Sequence, residues 1–193
     1  MKADITLAGV GGQGILSIAA VIGMAALEND LYIKQAEVHG MSQRGGAVQS
    51  NLRISDRPIA SDLIPLGNAD LILSVEPMEA LRYLPYLGRH GWLVTNSNPY
   101  VNIPDYPDMQ AIEEQIAIHP NHVLMDADIM ASNLGSGKVS NMVILGAATP
   151  FLQITYEHFE SGIRTIFGRK GEEMVLLNLK ALRKGKEITQ GKN

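Results

Sequence analysis

Glycines at positions 9, 11, 12 and 14 fall between a short apolar run and a long one, and they constrain this chain more than any other feature. Ile5 to Ala8 reads as a strand, Gly9-Val10-Gly11-Gly12-Gln13-Gly14 as a tight turn, and Gln13 to Asn29 as a helix. In a G-x-G-x-x-G turn the first glycine permits the tight bend, the second lets the backbone approach a pyrophosphate and the third allows close helix packing. Backbone N–H groups and the helix dipole then hold an anion. The same residues also fit a turn that binds nothing and only packs a helix on a sheet. The extra Gly12 and Gln13 are not required by the dinucleotide pattern.

The helix after the turn is apolar nearly all round (Ile18, Val21, Ile22, Met24, Ala25, Leu27), so it is expected between the sheet and other elements or at a subunit interface. Its continuous apolar part, Ile15 to Leu27, is too short to cross a bilayer, which needs about 20 residues. The start lacks a signal peptide's order of basic, apolar and small-residue regions, so the segment is expected to stay in the mature protein.

Strand-like runs follow at Leu31 to Val38, Ala47 to Ile54, Ala69 to Val75, Gly91 to Asn96 and His122 to Met125. Helix-like stretches lie at Pro77 to Leu87 and Met109 to Ile118, and after Asn141 to Gly146 the chain turns helical through Tyr156 to Phe167 and Glu172 to Lys184. This alternation predicts an α/β fold with a single Rossmann-like, doubly wound, mostly parallel sheet and a helical C-terminus. Arg57-Pro58, between Ala47 to Ile54 and Ile59 to Ile64, suggests a local hairpin and at least one antiparallel strand. With 193 residues, 46% of them hydrophobic, and no linker or repeat, residues 1–193 are expected to form one domain.

A net charge of -4 gives no reason to expect nucleic acid as a partner. The sequence has no cysteine, which removes disulfides, thiolate catalysis, Cys-based zinc sites and Cys-ligated iron–sulfur clusters, and agrees with a cytoplasmic location. Charge is uneven: from Ser161 onward eight basic residues face three acidic ones. That tail reads as a solvated helical face, or as a docking surface for an acidic partner.

The second dense segment is His39-Gly40-Met41-Ser42-Gln43-Arg44-Gly45-Gly46. Three glycines around one Arg make a loop whose backbone approaches a ligand or a neighbouring chain, with a permanent cation at its centre. It is expected at the C-terminal edge of the sheet, facing the first turn; a hairpin entry with Arg44 in an internal salt bridge is the plainer alternative. Glu37 lies 23 positions after Gly14, near the usual place of a carboxylate that binds the ribose of NAD, and it also reads as a solvated strand end. The candidate binding residues are therefore Gly9, Gly11, Gly12, Gln13, Gly14, Ser42, Arg44, Gly45 and Gly46. No residue is assigned a catalytic role and no metal site is expected. Gly135-Ser136-Gly137-Lys138 departs from a P-loop, with Ser132 in place of the earlier glycine and Val139 in place of Ser/Thr. His119 and His122 have no nearby carboxylate cluster, and no Gly-x-Ser-x-Gly elbow occurs.

Gly11-Gly12-Gln13-Gly14-Ile15, the segment from His39 to Gly46, and Asn141-Met142-Val143-Ile144-Leu145-Gly146 together resemble the gamma subunit or domain of the 2-oxoacid:ferredoxin oxidoreductases, across nearly the whole chain. The His-Gly-Met-Ser-Gln-Arg-Gly-Gly form is more similar to the small (beta) subunit of the indolepyruvate enzymes than to the pyruvate or 2-oxoglutarate ones, whose loop usually reads Ser-Tyr-Gly-Pro-Glu-Ala-Arg-Gly-Gly. The resemblance implies oxidative decarboxylation of an arylpyruvate on thiamine diphosphate, electron transfer through iron–sulfur clusters to ferredoxin, and capture of the acyl group by coenzyme A. It also implies that thiamine diphosphate, its magnesium ion and the clusters sit on a large partner subunit, because this chain has neither cysteines nor a Gly-Asp-Gly signature. The role that the resemblance leaves for the chain is to complete the assembly, with the glycine-rich loops either helping to receive coenzyme A or forming the subunit interface. Two other classes stay open: a self-sufficient NAD-dependent dehydrogenase and a noncatalytic nucleotide-sensing module. Isolated, the chain is expected to self-associate.

Overall fold

The computed structural model describes residues 1–39 and 45–191. Among these residues six strands form one sheet: β1 (Lys2–Val10), β2 (Tyr32–His39), β3 (Ala47–Ser55), β4 (Ala69–Ser74), β5 (Leu87–Asn96) and β6 (His122–Met125). Their spatial order is β2-β3-β1-β4-β5-β6. The β1/β4, β4/β5 and β5/β6 pairs are parallel, and β3 runs antiparallel to both β1 and β2. The expected antiparallel strand is therefore present, but its hairpin partner is β2. Residues 59–64 form no strand; Arg53 donates to the carbonyls of Ser61 and Leu63 and ties that stretch down as an irregular cover.

Among the described residues there are also seven α-helices: α1 (Ile15–Leu27), α2 (Pro77–Arg82), α3 (Met109–Ala117), α4 (Ala127–Asn133), α5 (Ser140–Ala148), α6 (Tyr156–Phe167) and α7 (Glu172–Thr189). Strand alternation sorts the core into two layers. Ile5, Leu7, Leu71 and Leu73 point to the face covered by α1 and α5, whereas Ile72 and Leu93 meet Ala80 of α2 and Ile112 and Ile116 of α3 on the other. Burying these side chains on both faces contributes about 1.5–3 kcal/mol for each large aliphatic residue.

The all-round apolar character of α1 has a plain cause. One side packs on the sheet and the other is covered by α6, whose Gly162 comes so close that an added Cβ would lie 2.9 Å from the carbonyl oxygen of Val21. Asn141 to Gly146, placed before the helical region by sequence, is already inside α5, a helix buried along nearly its whole length. The helix expected over Pro77 to Leu87 ends at Arg82; Leu84–Tyr86 form a 3-10 turn containing Pro85, and Leu87 opens β5.

Candidate functional site at the C-terminal sheet edge

The first glycine turn leaves β1 at Val10 and enters α1 at Ile15. Gly12 and Gly14 hold φ of 103° and 85°, a region that side chains resist. Gln13 folds back so that its Oε1 accepts from the N–H of Val10 at 2.8 Å. Gly9 leaves room for Val75, which a Cβ there would meet at 2.3 Å. No described side chain caps α1 and its first turn carries no acidic residue, so the positive end of its dipole stays available to an anion.

The second glycine-rich segment meets the first. Gly11 donates to the carbonyl of Gly46 at 2.9 Å, and Gly45, at φ 77°, donates to the carbonyl of Gly11 at 3.4 Å. Gly9, Gly11, Gly12, Gln13, Gly14, Gly45 and Gly46 are thus brought together at one edge, while Ser42 and Arg44 lie outside the described residues. Glu37 is not brought in: β3 intervenes between β1 and β2, so this exposed residue sits two strands, about 10 Å, to the side of β1. That distance removes the ribose-binding geometry of a dinucleotide fold.

Beside the turn opens a cleft of about 360 Å³, with Gly12 and Gly14 on one wall and Lys138 and Lys170 among the other lining residues. Lys138, dismissed by its motif spacing, reaches the cleft because α4 and the 3-10 turn Gly137–Val139 carry the chain back over the ends of the strands. Asn141 locks the floor, donating to the carbonyl of Gly14 at 3.2 Å. Asp128 adds an acceptor, held by the amides of Asn96 and Asn98 at 3.0 Å each. Two lysines among the lining residues, the ammonium of Lys170 lying 5.3 Å from the centre of the Phe167 ring, with a helix N-terminus and a fixed carboxylate, suit a phosphate next to a hydroxyl-bearing group.

Sequence reasoning also missed Glu76, which is fully buried just beyond β4. Its carboxylate accepts from the N–H of Glu79 at 2.7 Å, from the N–H of Tyr100 at 3.3 Å and from the hydroxyl of Tyr106. Burial and the adjoining carboxylate of Glu76 push the Tyr106 phenol well above its ordinary pKa. Burial also raises Glu79, against the pull of Arg82 at 2.9 Å. The acid-first pattern Glu76-Pro77 was the available signal, since an acceptor before a proline at the first helical position marks a helix start. His122 turns Nδ1 to the carbonyl oxygen of His119 at 2.6 Å, and among the described residues no group of three His, Asp or Glu side chains could hold a metal.

The sequence pattern of the pyruvate ferredoxin/flavodoxin oxidoreductase family matches residues 4–188. The chain belongs to that family. Among its relatives, indolepyruvate oxidoreductase subunit IorB of Archaeoglobus fulgidus is 34% identical over 96% of this chain and 94% of its own length. The corresponding subunit of Pyrococcus horikoshii is 37% identical over 83% of this chain and 84% of its own. The gamma subunit of a keto/oxoacid ferredoxin oxidoreductase from Geobacter sulfurreducens superposes with a TM-score of 0.70 at 25% identity, covering 97% of this chain and 98% of that one. The 2-oxoglutarate:ferredoxin oxidoreductase of Magnetococcus marinus, solved with 2-oxoglutarate, coenzyme A and succinyl-CoA, shares the fold at a TM-score of 0.77 and 22% identity over 98% of this chain. This chain spans 31% of the Magnetococcus one.

Six of the exposed apolar side chains lie at the same edge, Leu16 at the start of α1, Val38 at the end of β2, Tyr100, Val101 and Ile103 after β5, and Ile129 at the start of α4, while others such as Leu66 and Ile118 lie elsewhere. Among the described residues no helix is long and apolar enough to cross a membrane.

Proposed function

We propose that the chain is the small subunit of an indolepyruvate ferredoxin oxidoreductase, inactive alone, that completes the coenzyme A side of an active site whose other parts belong to a large partner subunit. The observation that carries this reading is the backbone pairing of the two glycine-rich segments, Gly11 with Gly45 and Gly46, beside a cleft holding Lys138 and Lys170. Relatives named as indolepyruvate oxidoreductase subunits support the choice of oxoacid.

Thiamine diphosphate and iron–sulfur clusters do not fit this chain: it has no thiolate to ligate iron, and its described acidic and imidazole groups form no cation cluster. The decarboxylation and the passage of electrons to ferredoxin are therefore assigned to the partner. Coenzyme A does suit the residues present, because its pyrophosphate matches the uncapped start of α1 and the two lysines. Arg44, in the second loop, would supply a planar two-pronged contact. The alternative of a self-sufficient NAD-dependent dehydrogenase is disfavoured by the position of Glu37.

Reconstitution tests the reading. The chain and its large partner together should oxidise indolepyruvate with coenzyme A and ferredoxin, and neither the chain alone nor the partner alone should complete the reaction. Turnover by the isolated chain without thiamine diphosphate or clusters would defeat it.

A further inference from the structure

Residues 97–108 cross the C-terminal edge of the sheet without regular structure, between β5 and α3. Such a segment is normally free to move. Here it is fastened twice to one buried group: the N–H of Tyr100 and the hydroxyl of Tyr106 both meet Oε1 of Glu76. Between these anchors Asn102 reaches outward and donates its amide to the carbonyl of Gly45 at 2.6 Å. Gly45 in turn donates to Gly11 of the first turn, and Gly11 to Gly46.

We propose that Glu76 is a positioning residue, acting through residues 97–108 as a strap whose Asn102 fixes Gly45 against the first glycine turn. The burial of Glu76 is the clue. A carboxylate required only to cap the six-residue α2 works as well from a half-exposed position, and taking it fully out of water is costly. Full burial makes sense when both oxygens must hold fixed donors: Oε2 takes the helix start at Glu79 and Oε1 takes the strap. The Ser74 hydroxyl, donating to the carbonyl of Glu76 at 2.6 Å, fixes the backbone from the strand side. The path thus runs from the end of β4 through Glu76, Tyr106 and Asn102 to Gly45. Only the identity of the ligand placed by that path rests on the function proposed above.

Asn102 is exposed and bonds nothing else among the described residues, so Asn102→Ala tests the strap without threatening the core. Tyr106→Phe loosens one anchor and keeps the ring. Two measurements separate the claims. Hydrogen exchange of the Gly11 amide in the full chain reads the position of Gly45 and Gly46, and the assembled enzyme gives KM for coenzyme A alongside kcat.

Each substitution should speed Gly11 exchange by about three- to tenfold, the range for one lost hydrogen bond. Together they should do little more than either alone, since both act on one path. KM for coenzyme A should rise by a similar factor with kcat nearly unchanged. Asn102→Gln, which retains the amide, should recover part of both. Unchanged Gly11 exchange in Asn102→Ala would overturn the strap, and so would fully independent effects of the two substitutions. Faster exchange with an unmoved KM would uphold the strap and remove coenzyme A as the ligand it places.

Discussion

At the scale of single residues, a few carboxylates, Asp4, Glu76 and Glu79, stand where burial makes them consequential. Asp4, 1% exposed on β1, is raised by burial, but hydrogen bonds and charges from Arg53 at 2.7 Å and Lys2 more than offset this and hold its pKa below the ordinary value. A depressed carboxylate stabilises the fold above its unfolded pKa of about 4, and that stability is lost as pH falls through the lower folded value. Asp4→Asn should cost about 1.5–3 kcal/mol near neutral pH, because the part-buried Arg53 loses its carboxylate and keeps only the carbonyls of Ser61 and Leu63, and should flatten the acid limb of a denaturation series. Urea titrations at pH 7 and pH 3 check both statements. Arg44 carries a functional prediction instead. In the assembled enzyme Arg44→Ala should weaken coenzyme A by about 1.5–3 kcal/mol while decarboxylation survives, and Lys should rescue it only in part. If Arg44 holds the subunit interface, complex mass falls together with every partial reaction. The turn glycines were legible because positive φ and close approach select glycine at fixed spacings. Lys138 and Glu76 were not, because their roles arise from the crossing of segments far apart in sequence.

Among the secondary-structure elements, the tightest junction joins α5 and α7. A Cβ on Gly146 would sit 1.9 Å from the carbonyl oxygen of Leu182, and one on Gly185 would sit 1.8 Å from that of Val143. The helices therefore touch backbone to backbone, and neither glycine has a flexible neighbour to yield. Gly185→Ala should destabilise by about 3 kcal/mol despite alanine's better helix propensity, whereas Gly168→Ala, which meets nothing within 4 Å, should be nearly neutral. Thermal melts of the two variants decide this. The contact also explains why Asn141 to Gly146 stood out as a motif: its first residue braces the glycine turn and its last admits α7. Strands with clean apolar runs, such as β4 and β6, were readable close to their ends. The insertion of β3 between β1 and β2 was not, since strand order depends on long-range pairing that periodicity does not encode. Uniformly buried α5 was hidden for a related reason, having no polar face to give it a helical period.

For the whole molecule, apolar residues around the glycine turns are exposed to water along one edge, as are single residues such as Leu66 and Ile118 elsewhere on the surface. Val101 is 67% exposed and Ile129 is 60% exposed, on the edge where the partner subunit is proposed to sit. The isolated chain should self-associate at micromolar concentration, and Val101→Ser with Ile103→Ser should shift it toward monomer in sedimentation velocity; a parent chain that stays strictly monomeric would count against a covered edge. A last consequence concerns the order in which the chain is made. The hydrogen bond from Asn141 to Gly14 spans 127 positions, and α1 is shielded from outside by α6, which begins at Tyr156. During synthesis, the glycine turn and its apolar helix leave the ribosome long before the segments that brace and cover them. The nascent chain up to α5 therefore exposes apolar surface of the kind chaperones recognise, and the glycine-turn edge closes only once residues 141–167 have emerged.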